Sequence, residues 1–410
     1  MNLNMKSFIR PQVVILPGII IFVSCMILFP SAVFEASKAG ISAWWNIVFP
    51  ALLPFFIASE LLAGYGIIQF MGVLLEPVMR PLFNLPGAAS FVMAVGYTSG
   101  FPISASLSAR LRKDNICTRH EAERLMCFTN NSSPLFMLTA VGVGMFHNPR
   151  LGVVIAVSHY IANIFLGLAL RFYKRDDAGL LPDSSLGRQI WQKALTEMKN
   201  ALRNDPRAFG KIMGDAVSSS IHKLLIIGGF VILFSVIIKI SGIIGVTAVL
   251  NKVFIILTMP FGLSEQVVSS LSSGFFEITL GTKAAAEASG SLPHRLVAAS
   301  LILGWSGVSV VAQVSALISE TDLKMGLFII CRIIHSLLAG ILTLLLMTSQ
   351  SIRDWTAQPV MTGLIPDTTM SWTADLMFYS RLCMYTLTAW LLLAITVYII
   401  RSFSVIKFRI

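Results

Sequence analysis

Long uncharged apolar stretches recur along this chain, at residues 13–34, 88–108, 125–145, 151–170, 296–319 and 333–352. Each is long enough to cross a hydrocarbon layer about 30 Å thick. Other apolar runs are shorter or interrupted, and length and hydropathy together predict about ten to twelve crossings or re-entrant segments. Charged residues make up only 12% of the sequence, against roughly a quarter in soluble domains. The expected fold is an all-α polytopic membrane protein embedded in a lipid bilayer.

The first apolar run follows Lys6 and Arg10, so a secretory signal has to be weighed, with Ser31-Ala32 as its cleavage neighbourhood. The run is longer than the roughly 7–15 residues of a signal core, and residues 1–42 read as an uncleaved membrane anchor. Five cysteines, Cys25, Cys117, Cys127, Cys331 and Cys383, are scattered without CxxC spacing, which fits buried small apolar residues rather than disulfides or ligands. The net charge of +11 does not point to nucleic acid, because the basic residues sit mostly in connections between spans. Lys and Arg gather on the cytoplasmic side of membrane proteins. Residues 110–124, residues 171–215 and the tail with Arg401, Lys407 and Arg409 are therefore expected in the cytoplasm with the amino terminus. Residues 353–374 show no positive excess and fit the far side.

The segment 171–215 contains an expected surface helix near residues 185–202 and a turn at Asn204-Asp205-Pro206. It separates two halves that resemble each other. Ser99-Gly100-Phe101 returns as Ser273-Gly274-Phe275, and His120 as His294, both offset by 174 residues. The same offset lays residues 129–133 over 303–307 and residues 44–63 over 218–237. A constant offset over such a length indicates an internal repeat. The expected domains are the anchor at 1–42, a first repeat at 43–171, a connector at 172–217, a second repeat at 218–352, and an extracytoplasmic loop with a last membrane helix at 353–410. Five passes in the first copy put the start of the second copy on the opposite face, so the two are expected to be inverted. Inverted repeats characterise secondary transporters, which bind substrate near the midplane at discontinuous helices.

Each half carries two polar, glycine- or proline-bearing patches: residues 96–108 and 129–134, then 269–282 and 304–309. Irregular backbone at membrane depth is tolerated where protein buries it or a wet cavity meets it. Four such patches suggest helix breaks around one cavity, with freed N–H groups suited to an anion. The candidate substrate contacts are Tyr97, Thr98, Ser99, Thr129, Asn130, Asn131, Ser132, Ser273, Trp305, Ser306 and Arg332. Asn130-Asn131 stands out, since adjacent carboxamides in an apolar span are costly without partners. Ser104, Ala105 and Ser108 read instead as small residues for helix packing. Glu60, Glu277, Arg332 and Arg381 lie within or at the edge of spans, where an ionisable group is a functional candidate and snorkelling or an internal ion pair the plainer alternative. Glu277 is the candidate for proton or cation coupling. His159 and His335 read as core histidines. No hydrolase elbow, HExxH, Walker A or dinucleotide fingerprint occurs, and Cys117, His120 and Cys127 lack a fourth ligand at zinc-like spacing. No enzyme, cofactor or metal is expected.

Gly96-Tyr97-Thr98-Ser99-Gly100, the basic cluster at 110–113, Thr118-Arg119-His120-Glu121-Ala122-Glu123-Arg124 and Thr129-Asn130-Asn131-Ser132-Ser133-Pro134-Leu135-Phe136 occur in this order. Together they resemble the YlbJ-type sporulation integral membrane proteins, within the broader group carrying the nucleoside recognition or Gate domain. That group is similar in arrangement to concentrative nucleoside transporters. The chain departs from the family's usual pattern at Thr98 and at Phe101-Pro102, so no charged substrate contact is carried over there. The resemblance implies a place in endospore formation, in the mother-cell-derived outer forespore membrane, and transport of dipicolinic acid towards the forespore. A planar dicarboxylate suits helix N-termini, hydroxyl and amide donors and a nearby arginine. A nucleoside would suit the same donors, with Trp305 to stack on it. The alternative from another class is a non-transporting scaffold that gathers other sporulation proteins through residues 171–215. Oligomeric state is not fixed by these patterns.

Overall fold

The computed structural model of the chain describes residues 11–174 and 190–358. Arg381, Cys383 and the last membrane helix expected from the sequence lie outside them. Every regular element among the described residues is helical. Helix α1 (Pro11–Leu28) is followed by α2 (Pro30–Ala43), which continues through a π-helical turn into α3 (Phe49–Gly64). Pro30 opens α2 at the first helical position, where its missing N–H costs nothing. The first apolar run, 13–34, is therefore divided at Phe29-Pro30. Beyond α4 (Ile67–Val78), the run 88–108 is not a crossing. It forms a hairpin of α5 (Ala89–Ser99) and α6 (Ile103–Lys113) around Gly100. Each arm rises about 16 Å, half of the hydrocarbon thickness, so the hairpin is re-entrant.

The run 125–145 crosses as a broken helix: α7 (Arg119–Thr129), non-helical residues 130–133, then the π-helical segment Phe136–Met145. Helix α8 (Pro149–Leu170) returns. After the connector, α9 (Ile190–Asn204) lies against α4, fastened by Lys193 to Glu76 at 2.9 Å. Helix α10 (Phe209–Ile243) runs straight through position 217, where the sequence divides connector from repeat. Then the pattern recurs. Helix α11 (Val246–Thr258) precedes a hairpin of α12 (Glu265–Phe276) and α13 (Ile278–Glu287). A broken crossing of α14 (Leu292–Trp305) and α15 (Gly307–Ile318) leads to α16 (Met325–Thr348) and the short α17 (Gln350–Ala357).

The elements pair in order: α3 with α10, α4 with α11, the two hairpins, the two broken crossings, and α8 with α16. The contacts are reciprocal, as a half-turn between copies requires: α6 touches α15 while α13 touches the π-helical segment, and α7 touches α16 while α14 touches α8. The copies run oppositely. Arg150, at the start of α8, donates to Trp355 O just beyond α16 at 2.6 Å. At the other end Arg124 of α7 reaches Tyr173 O just beyond α8 at 2.7 Å, while Glu123 accepts from the Lys324 N–H at the start of α16. The long helices also pair antiparallel, Ser235 of α10 donating to Ala36 O at 2.5 Å and Trp44 Nε1 to Leu224 O at 2.9 Å. Each copy makes three passes rather than five, because the hairpins turn back and α4 and α11 are too short to span. An odd count preserves the inversion.

Five helices among the described residues are long and apolar enough to cross a membrane, namely Pro30–Gly64, Pro149–Leu170, Phe209–Ile243, Leu292–Ile318 and Met325–Thr348. The face carrying the ends of α6, α8 and α15 and the starts of α7 and α16 bears Arg110, Arg112, Lys113, Arg119 and Lys174. Two buried cores serve the two hairpins. One gathers α8, α13 and α14 and the other α5, α6, α7 and α15.

Candidate functional site

Gly100 ends α5 with φ +77°, a left-handed conformation that glycine adopts without cost. A side chain there would strike Ser133 N at 2.8 Å, so this turn brings the hairpin tip against the break in the neighbouring crossing. Phe101 N donates to Asn131 O at 2.9 Å and closes the junction. In the second copy the break falls a few residues later than Ser273-Gly274-Phe275. That tripeptide stays inside α12, and the chain opens at Glu277, which has extended backbone and accepts from Leu280 N at 2.8 Å, capping α13. The second crossing breaks at Ser306 and Gly307, both with left-handed φ.

A cavity of about 70 Å³ lies where the breaks converge. The first copy contributes Ser99, Gly100, Phe101, Ser132 and Ser133; the second contributes Glu277, Ile278, Thr279, Ser309 and Gln313. Apolar side chains of α3 and α10, among them Phe56 and Phe230, form its wall. Of the residues expected at a site, Ser99, Ser132 and Glu277 line this cavity. Asn131 sits beside it, fully buried, with neither amide atom hydrogen-bonded; the Ser132 hydroxyl is likewise unpartnered. Asn130 is tied down, its side-chain oxygen accepting from Ser104 at 3.1 Å. The Thr129 hydroxyl bonds back to Leu125 O at 2.7 Å.

Several expected contacts face elsewhere. Thr98 is exposed and its hydroxyl bonds to Ala94 O at 2.9 Å within α5. Ser273 looks towards α2 and α10, beside Glu35 and Lys239. Trp305 is a strut rather than a free stacking platform: its Nε1 donates to Phe275 O at 2.9 Å and its ring stacks on Phe275 at 5.7 Å. Ser306 bonds to the Trp305 carbonyl and lies outside the cavity lining. Arg332 turns away from the cavity and donates to Cys127 O at 2.7 Å and Asn130 O at 2.8 Å, the last carbonyls of α7. Helical phase decides each of these. Tyr97 keeps its hydroxyl buried without a partner, while its carbonyl accepts from Tyr160 at 3.0 Å. Glu60 pairs with Lys223 across α3 and α10, the plainer of its two readings.

Sequence reasoning passed over Thr279, Ser309 and Gln313 as individual contacts. The first two sit inside patches it did mark, and one polar residue per turn on an apolar helix was the available signal for Gln313. The basic motif before α7 is structural. Thr118 and Glu121 form a capping box, Arg80 pairs with Glu121 at 2.7 Å, and Arg119 pairs with Glu123 at 2.9 Å. No cluster of three or more potential metal ligands occurs among the described residues.

Inverted repeats whose helix breaks meet at one cavity define a polytopic integral membrane protein of transporter-like architecture. Among solved structures, CNTnw in an inward-facing, substrate-bound state shares the fold with a TM-score of 0.50 at 11% identity, over 82% of this chain and 87% of that one. The Gate family, described as nucleoside recognition, matches residues 46–149. The sporulation integral membrane protein YlbJ of Bacillus subtilis (strain 168) is 46% identical over 322 residues, covering 78% of this chain and 79% of that one. The chain belongs to the YlbJ family.

Proposed function

We propose that the protein is a sporulation transporter that passes a small polar solute through the cavity between its repeats, with dipicolinic acid moved towards the forespore as the substrate. The observation that carries this reading is the cavity itself. Both copies send their hairpin tip and their broken crossing to one place, and a scaffold has no use for that arrangement. Unpartnered Asn131 and Ser132 supply donors for carboxylate oxygens, and Glu277 supplies a group able to trade a proton as access alternates. At about 70 Å³ the cavity is closed to a ring-bearing solute, so transport requires one repeat to move against the other. The basic face would be cytoplasmic by the positive-inside rule, and the outer forespore membrane is the location this reading requires.

A nucleoside-type solute is the second reading. It is favoured by the lining, in which no cation appears among the described residues and Glu277 is the charged group. Uptake of labelled dipicolinate and of labelled nucleosides into liposomes holding the purified protein decides between them. Dipicolinate uptake above protein-free liposomes supports the proposal. Nucleoside uptake alone replaces the substrate, and uptake of neither leaves a scaffold.

A further inference from the structure

Behind the cavity, where α8 and α16 cross, a second polar cluster is sealed from solvent. His159 and His335 meet there with ring centroids 5.0 Å apart. Their separation of 176 residues is two more than the repeat offset, so they are near-equivalents meeting close to the half-turn axis. Arg332 lies one turn from His335, and Arg332, His159, His335 and Asn130 are all fully buried. Their polar atoms are left over. Arg332 Nε, the Tyr97 hydroxyl, both ring nitrogens of each histidine and Asn130 Nδ2 have no hydrogen-bond partner. The Ser300 carbonyl faces His159 and the His159 carbonyl faces His335, both outside hydrogen-bond geometry.

The charge is left over as well. No carboxylate among the described residues pairs with Arg332. The titratable groups facing it are Tyr97 from α5, Cys127 from α7, His159 from α8, and Cys331 and His335 from its own helix. What it does have is the carboxyl end of α7, equivalent to about half a negative charge, and the Phe328 ring at 5.5 Å. About half a positive charge therefore stays uncompensated in a low-dielectric interior, where removing a partner from a buried ion is among the most destabilising changes known. Buried groups of this kind are ordinarily satisfied by protein, water or an ion.

We propose that the crossing of α8 and α16 is an occluded site for a small inorganic anion of halide size, separate from the solute cavity, with Arg332 as counter-charge and Tyr97, His335 and Asn130 as hydrogen-bond donors. A bound anion would complete the charge of Arg332 and pin α16 to the end of α7. The breaks of the first repeat are thereby held in register with a helix of the second.

The test reads binding alone, so its outcome does not depend on which solute is transported. The unfolding midpoint of the purified full-length protein is followed as chloride or bromide replaces gluconate at constant ionic strength. A saturable rise of about 4 °C or more is expected for the halides. Arg332→Met should lose the response. Asn130→Asp, which puts a carboxylate on the residue whose carbonyl Arg332 already reaches at 2.8 Å, should raise the midpoint in gluconate and blunt the halide effect, and this variant serves if Arg332→Met does not fold. Bromide anomalous scattering should fall between Arg332 and His335. A wild-type midpoint equal in halide and gluconate, an undiminished response in Arg332→Met, or bromide elsewhere overturns the proposal. So does stabilisation by dipicolinate but not halide that vanishes in Arg332→Met, since Arg332 would then belong to the solute cavity.

Discussion

Asn131 sits fully buried beside the cavity with neither amide atom bonded, so its side chain contributes little to holding the fold, and on the proposed reading it is free to meet a solute. Asn131→Ala should leave the protein inserted and abundant. A lost site contact is worth about 1–3 kcal/mol, so uptake per inserted molecule should fall about tenfold or more, and normal uptake at normal abundance would return the residue to packing. Glu277 serves twice, capping α13 through Leu280 N at 2.8 Å and presenting a carboxyl to the cavity. Glutamine can accept the same backbone bond but carries no exchangeable charge. Glu277→Gln should therefore retain equilibrium exchange of solute and lose accumulation driven by a proton gradient; equal retention of both removes Glu277 from coupling. These two residues were legible because carboxamides and carboxylates stand out against hydrocarbon. Trp305, Thr98 and Ser273 were not. A helix rotates its side chains by about 100° per residue, and the second hairpin breaks a few residues beyond its Ser-Gly-Phe, which turns Ser273 towards α2.

At the scale of elements, the α12/α13 hairpin closes on a pair of glycines. A side chain at Gly281 would come within 2.2 Å of Gly274 Cα, and since backbone cannot yield there, Gly281→Ala should cost about 1–3 kcal/mol by overpacking. The measurement is the unfolding midpoint and the amount inserted, both lowered; an unchanged midpoint would mean that the hairpin arms are not closely held. On the basic face, α6 is fastened to the loop after α15 by Arg112 with Asp322 at 2.9 Å and Lys113 with Glu320 at 2.6 Å. The hydrogen bond from Arg112 holds the Asp322 carboxyl below its usual range. A carboxyl depressed in the folded state stabilises above its unfolded pKa, and that contribution is lost as pH falls through the lowered value. The midpoint difference between the protein and Asp322→Asn should hence be constant from about pH 5 to 8 and disappear in stronger acid. A difference that persists in acid would assign Asp322 some other role. Apolar runs and glycine-bearing patches announced the helices and their breaks. They did not announce that residues 88–108 turn back on themselves, because an uncharged run of that length reads the same whether the chain goes on or folds over.

Two copies of one design make up the protein, and sequence alone revealed the copying through a constant offset and the inversion through the parity of passes; the contacts bear out both, with three passes in place of five. The inversion makes a direct expectation for a membrane-inserted protein whose native described cysteines are all buried. A cysteine at the exposed Asp114 should react with an impermeant thiol reagent from the cytoplasm alone, and one at the exposed Ser289 from the opposite side alone. Reaction of both from one side would contradict the topology. The copies are alike in plan and unlike in detail, α6 being tied to the loop after α15 by ion pairs on one face while α13 meets a π-helical segment on the other. If each copy took up the shape its twin now holds, the fastenings of the two faces would change places. On the proposed transport reading, such a molecule would carry the blueprint of its opposite-facing form within itself, and the mismatch between its halves would set the length of its stroke.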